Sequence, residues 1–187
     1  MTRLYFMRHG DAYDELGEQL DSYHLNNAGR LQALQLARRL KNNVFDAMYC
    51  SKIQRAIDTC AIVNDEHGMD VIYDSGLNEI DYADWPQPGT PAHTLDCYDF
   101  DKVSNRIHKT FKKIVNRHRS QEVAIFGHGN WIRVLIAKTI NDGNPVTFQH
   151  FLLSNTSLTI MDIDENDFVY FVTISDGAHT QLYDSKI

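Results

Sequence analysis

Two histidines of this chain stand in matching local contexts: His9 lies between Arg8 and Gly10, and His128 between Gly127 and Gly129, each where a short apolar run ends. One histidine beside glycine means little in a chain with nine; two in equivalent positions point to a shared site. Neutral imidazole is a nucleophile suited to phosphoryl transfer, a reaction in which the protein mostly positions groups and neutralises charge on the three equatorial oxygens. Arg8 and Arg55 supply forked, permanently charged donors that match phosphate geometry. His128 adds another donor when protonated, and the backbone N–H groups that open the helix after Gly129 add more. Glycine on both sides of such a site leaves room for phosphate. Glu79, in "LNEIDYADW", offers a carboxylic acid to protonate a poor alkoxide leaving group, provided burial and phosphate charge hold its pKa up; Asp81 and Asp84 are its rivals in that segment.

Metal chemistry finds less support. No HExxH or similar ligand spacing is present, and the two histidines have arginine neighbours that repel a cation. Neither a metal nor an organic cofactor is implied. Cys50, Cys60 and Cys97 form no CxxC pair, and an odd number of cysteines suits reduced, structural thiols. The formal net charge of -7 opposes overall attraction to nucleic acid or to an anionic membrane, so an anionic ligand has to be held by local charge. No apolar stretch has the length of a signal peptide core or a spanning helix, and the expected address is the cytoplasm.

The elements that must carry these groups follow from periodicity. "RLYFM" (3–7), "DAMYC" (46–50), "DVIY" (70–73) and "EVAIF" (122–126) are short apolar runs expected as strands. Between them lie helical patterns: one N-capped by Asn26 with Leu31, Leu34, Ala37 and Leu40 in register and a basic last turn, one running on from Ser51, one from Thr94 to His118, and one opening at "GHGNWIRVLIAKTI". Residues 76–93 hold Pro86, Pro88 and Pro91 and no sustained period, so a long surface excursion is expected there. "SLTIMDI" and "DFVYFVTI", joined by an acidic turn, form a hairpin. With 43% hydrophobic residues over 187 positions, one domain spanning 1–187 is expected. Its class is α/β, a three-layer α/β/α arrangement with a mostly parallel sheet and a C-terminal antiparallel hairpin. Ligands of such sheets bind beyond the carboxyl ends of the strands, which is where residues 8–10, 51–55 and 127–129 all fall.

Taken together, "RHG" after the first strand, "SKIQRAIDTCA" with Arg55, "LNEIDYADW" with Glu79 and "GHGNWIRVL" with His128 resemble the histidine phosphatase superfamily, also called the phosphoglycerate mutase-like family. The resemblance runs from residue 3 to about 179, where "SDGAHT" is similar to the family's closing segment. It implies a phosphohistidine intermediate on His9, a phosphate pocket of Arg8, Arg55, His128 and Gly129, Glu79 as proton donor, and no cofactor. The partner it implies is a small phosphorylated substrate or inorganic phosphate.

The chain also departs from that pattern. Many members continue with Glu-Thr and carry an asparagine six residues after the nucleophile; here Asp11, Ala12 and Glu15 stand instead. Glu15 cannot donate to a phosphate oxygen, so that contact is missing, displaced or turned to a cationic part of the substrate. Ala83, Pro86 and Gln87 replace the family's usual glycine and Glu-Gly around Trp85. "RHGDA" is similar to members that act on phosphohistidine in proteins, whereas Glu79 favours esters; shortness relative to the mutases favours hydrolysis. Asn155, Asp176 and His179 fall near hairpin ends, with turn or surface roles expected. Trp85 and Trp131 are expected to pack.

Overall fold

The computed structural model describes residues 1–13, 23–80, 100–142 and 145–180. Strand β1 (Thr2–Arg8) is buried along almost its whole length, because it lies inside the sheet with both faces covered. Parallel strands β2 (Ala47–Cys50), β3 (Val71–Tyr73) and β4 (Glu122–Gly127) lie on one side of it, and the antiparallel hairpin β5 (Leu158–Ile163) and β6 (Val169–Asp176) on the other. The order across the sheet is β3-β2-β4-β1-β5-β6. The fold is thus a three-layer α/β/α sandwich with a largely parallel sheet and a C-terminal hairpin, as the alternation of patterns predicts.

Alternate residues of β1 serve different cores. Leu4 and Phe6 join Tyr49, Val123 and Ile125 under helices α3 (Phe100–Arg117) and α4 (Gly129–Asn141). Tyr5 and Met7 join Met48, Cys50, Ala124 and Phe126 under α1 (Asn27–Leu40) and α2 (Gln54–Asn64). A buried phenylalanine such as Phe126 contributes about 1.5–3 kcal/mol of transfer free energy. Because both faces of β1 are apolar, burial alone does not forbid a one-residue slip of register. Polar pairs hold it instead: Arg3 donates from Nε and Nη2 to the two carboxylate oxygens of Asp162, each at 2.6 Å, and Tyr5 Oη donates to Glu122 at 2.8 Å.

Asn26 caps α1 as expected, its side chain accepting from Gly29 N at 2.8 Å. Helix α2 begins at Gln54 and not at Ser51, since the Ser51 hydroxyl accepts from Ile53 N and turns inward instead of capping a helix. Of the expected 94–118 helix, α3 accounts for 100–117, and residues 94–99 lie outside the described residues. The expected excursion begins with a 3₁₀ turn, Ser75–Leu77, capped by Asp74; residues 81–93, with Asp81, Ala83, Asp84, Trp85, Pro86, Gln87, Pro88 and Pro91, are not among those described. A short helix α5 (Pro145–Phe148) follows α4 and has no counterpart in the sequence reading. The hairpin turn is organised by Asp164, whose carboxylate accepts from Asn166 N and Phe168 N while Asp167 takes a positive φ of 65°. Among the described residues no helix is long and apolar enough to cross a membrane.

Candidate active site

At the carboxyl end of β1 the chain runs directly into a backbone contact. A Cβ at Gly10 would stand 2.5 Å from the carbonyl oxygen of Gly29, and one at Gly29 would stand 2.0 Å from that of Asp11. Both positions therefore require glycine so that the loop after β1 can lie against the first turn of α1. Gly10, expected to make room for phosphate, makes room for Gly29. The contact is completed by Gln32 accepting from Asp11 N at 2.9 Å and Asp11 O accepting from Asn26 N at 3.1 Å. Thr59 on α2 accepts from Gly10 N at 3.0 Å and donates to Arg55 O at 2.8 Å, tying this loop to the helix that bears Arg55.

His9, 1% exposed, has its ring fixed at both nitrogens. Nδ1 lies 2.7 Å from the Gly10 carbonyl, which can only accept, so Nδ1 carries the hydrogen. Nε2 is then a lone pair, and it accepts from Arg55 Nε at 3.2 Å. Arg8 donates to the Leu153 carbonyl through Nη1, while its Nε is buried and makes no hydrogen bond among the described residues. A Cβ on Gly129 would come within 3.1 Å of that Nε, so the second glycine after β4 admits the Arg8 side chain.

His128, fully buried, caps α4 with extended backbone (φ -131°, ψ 155°) and spends no side-chain bond on the helix. Its ring lies 5.2 Å, centroid to centroid, from that of His9. Nε2 meets the Ser51 hydroxyl at 2.8 Å, and Nδ1 is buried without a partner among the described residues. Glu79 takes the N-terminal amides of α4: Oε1 accepts from Trp131 N at 3.1 Å and from Ile80 N at 3.1 Å, and Oε2 accepts from Asn130 N at 3.4 Å. Amides that the sequence assigns to phosphate thus hold the carboxyl group. Arg8, His9, Arg55, His128 and Gly129 come together at the carboxyl ends of β1, β2 and β4, where the strand-end rule expects residues 8–10, 51–55 and 127–129, and Glu79 joins them from the segment after the 3₁₀ turn, which that rule does not cover.

Electrostatics divides these groups by task. Burial, then Arg8 and Arg55, pulls His9 well below the ordinary imidazole range, which keeps it neutral. Burial, then His9, Arg55, Arg8 and Arg106, does the same to His128. Burial pushes the Glu79 carboxyl up against the opposite pull of the Ile80 amide, Arg55, Arg8 and the Asn130 amide, which favours the protonated form. The stability of the protein should follow. Histidines whose folded pKa is depressed bind fewer protons folded than unfolded, so their contribution is full above about 6.5 and lost as pH falls towards the folded value, at up to about 1.4 kcal/mol per pH unit each. His9, His108, His128 and His179, the last held at about 4, all act this way. Glu79, raised by burial, acts oppositely, and four outweigh one. Urea unfolding of the ligand-free protein should give stability rising from about pH 5 to 7, and saturating orthophosphate should flatten the rise; greatest stability at pH 5 without phosphate would contradict it.

Several residues that the sequence reading left out support the site. Ser51 contacts His128 directly and Asn78 reaches it through Ser51, and Arg106 donates to Asn78 O from both Nη atoms at 3.3 Å. Arg133 stacks 3.6 Å over the Phe148 ring and donates to Asn130 and to Phe148 O; burial, then Arg8, brings its guanidinium down to about 10. Asp176 holds the turn after β6, accepting from Ala178 N at 3.0 Å, whereas His179, expected at a turn or the surface, is half-buried and tied into the fold. Arg39 pairs with Asp176 and donates to His179 Nδ1 at 3.1 Å; His179 Nε2 reaches Thr156 Oγ1 at 3.2 Å, and Thr156 N donates to His9 O at 3.2 Å. Asn155 Nδ2 is buried with no partner among the described residues, and Glu15 is outside them. Ala12 packs with Leu25 and Ala33. Trp131 is a packing residue, its ring 5.8 Å from Phe6 and its Nε1 donating to Gly76 O. Cys50 and Cys60 are buried and free, the Cys50 thiol pushed up by its hydrogen bond to Cys60 and by burial; Cys97 is not among the described residues. Among the described residues no group of three or more His, Cys, Asp or Glu could hold a metal ion.

Residues 4–174 match the model of the histidine phosphatase superfamily (branch 1). The chain is 27% identical over 156 residues to the serine/threonine-protein phosphatase Pgam5, mitochondrial, of Drosophila virilis, covering 72% of this chain but only about half (49%) of that relative. It is 25% identical over 187 residues to the adenosylcobalamin/alpha-ribazole phosphatase of Escherichia coli, covering 87% of this chain and 91% of that one. A phosphoserine phosphatase mutant from Entamoeba histolytica, crystallised with phosphoserine, superposes with a TM-score of 0.81 at 22% identity, over 96% of this chain and 99% of its own.

Proposed function

The chain belongs to the histidine phosphatase superfamily, and we propose that within it this protein is a phosphomonoesterase that passes a phosphoryl group from a small phosphorylated metabolite to His9 and then to water. The observation that carries this reading is the tautomer of His9: with Nδ1–H held by Gly10 O, Nε2 presents a lone pair beside the Arg55 guanidinium. When a phosphoryl group enters, one of its oxygens replaces Nε2 as acceptor for Arg55, and Arg8 and His128 neutralise the others. Nε2 attacks phosphorus as the P–O bond to the leaving group breaks, and Glu79 gives its proton to the departing oxygen. Water then attacks the phosphoimidazole, returning its proton to the Glu79 carboxylate and releasing phosphate with His9 restored. No step requires a metal or an organic cofactor.

The relatives described above are named as phosphatases, which favours hydrolysis over transfer to a second metabolite. A buried acid that feels Arg55 and Arg8, the arginines around His9, favours esters over phosphohistidine, whose P–N bond cleaves without a strong acid. The test is a release assay across sugar phosphates, nucleotides, phosphoglycerates, free phosphoserine, phosphoserine peptides and phosphohistidine. Release of phosphate from a small ester at rates above those for the peptides and phosphohistidine is expected. Preference for phosphopeptides or phosphohistidine would move the assignment to a protein phosphatase, and isomerisation of a phosphoglycerate without release would move it to a mutase.

A further inference from the structure

The hydrogen bonds around His128 leave one arrangement of protons. Lys52 N donates to Asn78 Oδ1 at 3.0 Å, which fixes the orientation of the Asn78 amide, since the reverse would set N–H against N–H. The Ser51 hydroxyl is 3.1 Å from that same oxygen, which has no hydrogen, so Ser51 must donate. Its single proton is then committed, and it already accepts from Ile53 N at 3.2 Å. At 2.8 Å from His128 Nε2 the hydroxyl can only accept again, so Nε2 must carry a hydrogen. The other ring nitrogen, Nδ1, is buried and has no partner among the described residues.

Resting on the phosphatase reading above, we infer that Ser51 and Asn78 are positioning residues that fix the hydrogen of neutral His128 on Nε2, so that Nδ1 takes up the proton when a phosphoryl group arrives and then donates to it. The charged groups around His128 are Arg8 from the end of β1, Arg55 from α2 and Arg106 from α3, and the neutral, titratable His9 lies beside them. All oppose a proton on Nδ1 until a phosphate dianion offsets most of that positive charge. The relay contains no ionised group of its own, so it directs the proton without forcing the ring to be charged beforehand. Asn78 is held by Arg106 and by its own N–H to Ser75 O, and it immediately precedes Glu79. One short segment therefore orients both the histidine that receives phosphate charge and the acid that protonates the leaving group.

The relay can be read without turnover. Long-range proton–nitrogen correlation spectra of the ¹⁵N-labelled protein, with His128 assigned from its loss in His128→Gln, should show a protonated Nε2 and an unprotonated Nδ1. Orthophosphate should then shift Nδ1 to the protonated type. Ser51→Ala should scramble the tautomer and lower kcat/KM by about 10- to 100-fold, the size expected for losing a hydrogen bond to a charged group. Asn78→Asp keeps both acceptors; it should preserve Nε2–H, move the titration of His128 upward and recover most of the activity that Asn78→Ala loses. A wild-type spectrum with hydrogen on Nδ1, or a Ser51→Ala protein with unchanged tautomer and pH profile, would overturn the relay. Failure of the phosphatase reading would show differently, as absent phosphate release with the tautomer intact.

Discussion

Replacing His9 with alanine should abolish the covalent intermediate and lower phosphate release by at least about 10⁴-fold, as expected when a nucleophile is lost and only the surrounding charge remains. Wild-type protein mixed briefly with a ³²P-labelled ester and denatured in alkaline detergent should retain label that is lost on acid treatment, the behaviour of a P–N bond. The His9→Ala protein should retain none. Arg8, Arg55 and His128 stay in place in the variant, so orthophosphate should still bind, with Kd changed by no more than about tenfold. Loss of turnover together with retained binding separates a missing nucleophile from a collapsed pocket. Hydrolysis by His9→Ala at the wild-type rate would mean that water attacks the ester directly and that His9 serves only to bind.

Glu79→Gln carries the second large effect, and it depends on the leaving group. For an alkyl phosphate, the loss of general acid catalysis should cost about 10²–10⁴-fold in kcat. For p-nitrophenyl phosphate or phosphohistidine, whose leaving groups depart with little help, the first step should slow by no more than about tenfold. Glutamine suits the position sterically: its oxygen can still accept from Ile80 N and Trp131 N, and its NH₂ would face only the long contact to Asn130 N. The pH dependence has a definite sign. The protonated form is the donor and burial raises the Glu79 pKa, so wild-type activity on alkyl phosphates should decline as pH rises through that raised value. The decline should vanish in Glu79→Gln. Equal losses on alkyl and nitrophenyl esters would assign Glu79 a binding role.

The reach of the sequence ended where tertiary contacts take over. Strand β1, the Asn26 cap and the C-terminal hairpin were legible because each is written in a local pattern: an apolar run, a side chain that bonds three residues on, an acidic turn between alternating segments. His9 and His128 were legible because two strand ends with the same residue pattern had to face one edge. The helical pattern that runs on from Ser51 becomes helix only at Gln54, because Ser51 turns to Asn78 and His128 from elsewhere in the fold. Nothing local marks Gly29, and only the approach of the Asp11 carbonyl explains it. The amides of Asn130 and Trp131 were assigned to phosphate because nothing local shows that Glu79 reaches them first. Strand order was likewise hidden, since an apolar run records that a strand is buried and leaves its neighbours unstated.

The position of β1 between β4 and β5 has a consequence for how the molecule comes into being. Arg3 is aligned with Glu122 on one side and with Asp162 on the other, so the strand that presents His9 finds neither flanking partner nearby in the chain. On a ribosome it must wait, apolar on both faces, until residues as far as 163 are made, and such distant pairings close slowly. A nascent or truncated polypeptide that ends before β5 can form α1 and α2 yet leaves the strand that presents His9 without one of its two neighbours.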